Sequence, residues 1–80
     1  MLKIKDNVDL KELEKFGFAY FINNCGTYGY SIHLLKGYVT IIEKDNEFHS
    51  SFDERRIPLN ITQDLLYDLI QAGIVEKVSD

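Results

Sequence analysis

Two side chains in this sequence could act as a nucleophile and its base. They are Cys25, the only cysteine, and His33, both within the stretch INNCGTYGYSIHL. A cysteine nucleophile needs a lowered pKa and a base within hydrogen-bond reach, usually oriented by a third group. Cys25 falls among turn formers and His33 on the strand that follows, out of register with it, and no family signature surrounds the cysteine. The pair reads as a turn thiol and a strand histidine. Metal ligation would draw on Cys25, His33, His49 and a carboxylate such as Asp45, yet the cysteine and histidines form none of the close-spaced pairs that zinc sites use. Gly26, Gly29 and Gly37 lack phosphate-loop spacing and open no helix, so they serve turns or a close approach of a neighbouring strand. Neither a metal nor a cofactor is expected, and no constellation marks an enzyme.

Binding chemistry is better represented. Tyr20, Tyr28, Tyr30 and Tyr38 all fall on predicted strands, and the first three lie near one hairpin. Sharing the sheet face away from the helices, they would form an aromatic platform; otherwise they are cross-strand pairs at the margin of a core. Arg55 and Arg56 are the only adjacent basic pair and the natural contacts for a phosphate.

The formal net charge of −4 disfavours nucleic acid, because non-specific binding to it depends on Lys and Arg neutralising phosphates. It fits a basic protein partner better. Eighty residues allow one domain, 1–80, with one small core. A lone cysteine provides no internal disulfide, which points to a reducing cytoplasm. The opening MLKIKDNVDL is charged with no apolar run behind it, which predicts no signal peptide, and no segment is long enough to span a bilayer.

The elements that would position these residues follow from capping and periodicity. Asp9 is the expected N-cap of a short helix, with Glu12 at capping-box spacing and Val8 and Leu13 as a hydrophobic staple. Leu10, Leu13 and Phe16 form its apolar stripe, and Gly17 ends it. From Phe18 the period becomes twofold. FAYFINN, YGYSIHLL and YVTIIEK are three strands, separated by Asn24–Thr27 and Lys36-Gly37, and EFHSSF is a candidate fourth after Asp45-Asn46. Pro58 makes DERRIPLN an edge strand or a connection. Thr62 caps a second helix with Leu65, Leu66, Leu69 and Ile70 on its apolar face; Gly73 ends it, and IVEKV is a short last strand or a packed tail. The expected fold is α+β: an antiparallel meander of three to five strands, a short N-terminal helix and a longer C-terminal one. A winged helix is the alternative, but it needs helices ahead of the hairpin, where this reading finds only a short charged segment.

Both ends carry a resemblance. IKDNVDLKELEKFGF and LIQAGIVEKV, spanning Ile4 to Phe18 and Leu69 to Val78, resemble the ends of small, mostly uncharacterised proteins encoded by phages and prophages of Gram-positive bacteria. The resemblance implies an accessory protein of a mobile element, acting in the host cytoplasm by binding a host or phage protein. It brings no catalytic motif with it. The expected function is a non-enzymatic protein-binding module, with inhibition of a bacterial defence system such as a CRISPR nuclease as its specific form. The alternatives are a sponge for a small nucleotide, with tyrosines stacking on the base and Arg55 and Arg56 on the phosphate, and a winged-helix DNA-binding regulator. An unprotected edge on so small a sheet also favours a homo-oligomer.

Overall fold

Alternating side chains in the middle of the chain build the main sheet. The computed structural model describes residues 1–44 and 54–78. Its order is β1 (Leu2–Ile4), a 3₁₀-helix (Leu10–Phe16), β2 (Ala19–Ile22), β3 (Tyr28–Leu34), β4 (Gly37–Lys44), α1 (Gln63–Gln71) and β5 (Val75–Lys77). β2, β3 and β4 form the antiparallel meander, in that spatial order, and β1 pairs with β5 in a second, two-stranded sheet. The expected strand EFHSSF, with Asp45 and His49, lies outside the described residues.

Register assigns the faces. Tyr30 stands opposite Ile41, Ile32 opposite Val39 and Tyr20 opposite Tyr30, so these five side chains share one face of the meander. Val39 and Ile41 on that face are buried and join Leu10 and Leu13 of the 3₁₀-helix, Leu65 and Leu69 of α1, and Ile4, Phe18 and Ile57 in one core. The apolar face expected for α1 is narrower than its sequence suggests: Leu65 and Leu69 are buried, Leu66 packs at the margin, and Ile70 is exposed.

The first helix is 3₁₀ rather than α. Leu10, Leu13 and Phe16 recur every third residue, which lines them up on one side of a helix with three residues per turn. Charged Lys11, Glu12, Glu14 and Lys15 fill the other sides. Asp9 caps it by accepting from the Lys11 amide at 2.9 Å, while the Glu12 carboxylate pairs with Lys15 Nζ at 3.0 Å. Gly17 ends the helix at φ 96°, in the left-handed region. Thr62 likewise caps α1, accepting from the Leu65 amide.

The N-terminal segment is a strand, not the charged lead-in that the sequence reading assigned. Leu2 and Ile4 alternate with Lys3 and Lys5, and Ile4 is fully buried. β1 is held on both sides: β5 pairs along one, and on the other Ile4 N–H donates to Arg55 O at 2.8 Å and Ile57 N–H to Leu2 O at 2.9 Å. The segment containing Pro58 is therefore a connection that closes β1 against β4. Ahead of β2 the described residues form this strand and a 3₁₀-helix.

Candidate functional site

Arg55 and the β2–β3 hairpin contain most of the residues singled out from the sequence, and the fold treats them in opposite ways. Arg55 points inward, its side chain only 15 % exposed. Its Nη1 donates to Lys5 O at 2.6 Å and Val8 O at 2.7 Å, and its Nε and Nη2 grip the Glu43 carboxylate at 3.0–3.2 Å. Its own amide donates to Ile42 O at 2.6 Å. These bonds hold a non-glycine residue at φ 62°, a conformation that ordinarily costs free energy. Arg55 thus ties β4 to the β1–helix connection, which is not the phosphate contact expected of it. Arg56 is half-buried, bridged to Lys3 on β1 and set against the Met1 sulfur.

The hairpin points outward. Asn23 shapes its turn: Oδ1 accepts from the amides of Cys25 and Thr27, both at 3.0 Å, and Gly26 takes φ 86°. Cys25 is exposed at the tip of this turn. His33 sits at the far end of β3, roughly 16 Å of strand beyond Tyr28, and stacks on Tyr38 with ring centroids 4.6 Å apart. The two candidates for a nucleophile and its base are thus kept apart. Among the described residues, no group of three or more His, Cys, Asp or Glu side chains could hold a metal ion.

The expected platform of four tyrosines divides. Tyr38 lies on the face opposite the core, with His33, because its register position is one removed from Val39. Tyr20, Tyr28 and Tyr30 gather on the core-side face, at its open margin. Tyr20 meets Tyr28 at 6.2 Å between centroids and Tyr30 at 5.8 Å, the latter edge to face. Tyr30 packs against the core, and Tyr20 is 53 % exposed. The Tyr30 hydroxyl donates to Glu14 Oε2 at 3.5 Å. Desolvation, reinforced by the negative charges of Glu14 and Asp9, raises the Tyr30 pKa above the usual phenol value.

Beside this cluster runs the β2 edge of the meander. The Asn23 amide, just past β2, donates to Thr27 O, so Phe21 and Ala19 are the β2 residues whose backbone groups face β3. The N–H and C=O groups of Tyr20 and Ile22 then face outward, and no described residue pairs with them. The opposite edge of the sheet is covered: Ile42 O accepts from the Arg55 amide, and Tyr38 O from Asn60 Nδ2 at 2.8 Å. Sequence reasoning overlooked Ile22, which is 61 % exposed on this edge, and Glu14, whose meeting with Tyr30 no local pattern announces. No described helix is long and apolar enough to cross a membrane. Comparisons with protein-family models, curated proteins and solved structures return no match.

Proposed function

We propose that this chain is a non-enzymatic protein-binding module that takes its partner along the outer edge of β2. One observation carries the reading. The strand AYFI turns outward backbone donors and acceptors at Tyr20 and Ile22 that no described residue pairs, flanked by exposed apolar side chains. It has none of the charges, prolines or bulges that usually guard an edge. A partner strand added here would gain main-chain hydrogen bonds, with tyrosines as anchors.

The resemblance of the chain's ends to phage and prophage proteins supports a setting in the cytoplasm of a bacterial host. In that setting the partner is a host or phage protein, and inhibition of a defence system such as a CRISPR nuclease is the form the proposal takes. The nucleotide-sponge alternative would need Arg55 for phosphate, and that side chain is engaged by Glu43 and two backbone carbonyls.

Affinity capture from a Gram-positive host lysate tests the proposal, using the native chain beside Ile22→Pro. Because the Ile22 amide faces outward, proline there blocks the edge without removing a bond to β3. A specific partner held by the native chain and lost from the folded variant is the expected result. Recovery of no specific partner, together with no effect on phage defence, would count against the proposal, and so would equal capture by both chains.

A further inference from the structure

The side chains beside the open edge indicate what kind of strand suits it. Resting on the edge-binding reading above, we propose that the occupant is an extended, arginine-bearing segment of a partner protein. The segment pairs with β2, and one of its arginines lies over the Tyr20–Tyr28–Tyr30 cluster and reaches Glu14.

Strand addition decides where the side chains go. Residues of an added strand alternate between the two faces of the sheet, so those opposite Tyr20 and Ile22 fall on the tyrosine side. The tilted and edge-to-face packing of Tyr20 on Tyr28 and Tyr30 turns ring surfaces in different directions at an open margin. The face of a tyrosine attracts a cation within about 6 Å of its centroid. Among the described residues no lysine or arginine of the chain itself stacks on these rings.

Charge complementarity selects the cation. Most carboxylates near this part of the fold already have work: Asp9 caps the 3₁₀-helix, Glu12 pairs with Lys15, and Glu43 holds Arg55. Glu14 differs. Its only described contact of this kind is the long hydrogen bond from the Tyr30 hydroxyl, and no described cation pairs with it. The Tyr30 pKa is raised by desolvation first and then by the same negative field, to which Asp9 also contributes. A guanidinium suits both features, since its flat face stacks on an aromatic ring while its donor edge forks onto a carboxylate. The net charge of −4 adds long-range attraction for a basic segment.

The test is an NMR titration of the native chain with N-acetyl-arginine-N-methylamide, set against the citrulline counterpart, which keeps the shape and loses the charge. Saturable shifts of the Tyr20, Tyr28 and Tyr30 ring signals with the arginine probe alone are expected. Glu14→Gln and Tyr20→Ala should each weaken binding about threefold, and added salt should weaken it further. Equal responses to both probes, no ring response, or shifts centred elsewhere would overturn the proposal. The two readings fail separately. Capture that depends on the β2 edge, with no arginine response, overturns the cationic anchor and leaves edge binding intact; loss of capture removes both.

Discussion

Arg55 and Tyr20 look alike as candidates in the sequence, each a side chain suited to gripping a ligand. In the fold they are opposites. Arg55 turns inward, and its charge is neutralised by Glu43 and directed at two carbonyls, where it closes the β1 segment over β4. Tyr20 turns outward on a strand whose backbone has no described partner on one side. The difference teaches that residue type names a capacity, and the accounting of backbone hydrogen bonds decides how it is used. The Arg55 hub satisfies the Lys5 and Val8 carbonyls, which the irregular connection between β1 and the 3₁₀-helix would otherwise leave open. The β2 edge leaves such groups facing out.

That contrast can be broken by substitution. Arg55→Ala should have the largest effect, about 3 kcal/mol of lost stability by denaturant unfolding, because it leaves Glu43 and the carbonyls of Lys5 and Val8 without their donor. Arg55→Lys should recover only part of it, since an ammonium cannot fork onto the carboxylate and both carbonyls together. Gly29→Ala comes next, at about 2 kcal/mol. A Cβ at Gly29 would run into the backbone oxygen of Ile41 and lie 2.8 Å from Ile42 Cα, where a register shift in the β3–β4 pairing brings the two strands together.

A smaller effect separates the tyrosine cluster by pH. The Tyr30 pKa is raised in the fold, so the protonated phenol is the form the fold prefers. Its contribution is full below the unfolded value near pH 10 and is lost as the pH rises through that value and beyond. Thermal melting of the native chain should therefore fall more steeply above about pH 10 than that of Tyr30→Phe. Tyr20→Lys should cost about 1 kcal/mol through its lost ring contacts, less than Arg55→Ala or Gly29→Ala, while abolishing capture of a partner. Equal loss of stability in Tyr20→Lys and Arg55→Ala would erase the distinction between hub and edge.

Much of the architecture is legible in local sequence, because caps and alternation act over a few residues. Asp9, Gly17 and Thr62 take the capping roles their types imply, and the strands around Tyr30 and Val39 keep the faces their spacing assigns. The sequence reading missed β1, although Leu2 and Ile4 alternate with lysines, because the partners that make it a strand lie at the far end of the chain. The inward turn of Arg55 was equally hidden, since it depends on Lys5, Val8 and Glu43 arriving from distant segments. The separation of Tyr38 from the other tyrosines could have been read: the reversal at Lys36-Gly37 pairs Tyr38 with His33, which already lay opposite Tyr30 in the alternation. That Glu14 meets Tyr30 required the packed structure.

The claim that the β2 edge is open is tested most directly by amide hydrogen exchange on the free chain. The account expects alternation along β2: the Phe21 amide protected by its bond to β3, and the Tyr20 and Ile22 amides exchanging rapidly into water. Protection of Tyr20 and Ile22 equal to that of Phe21 would mean the edge is already paired, and would contradict the account.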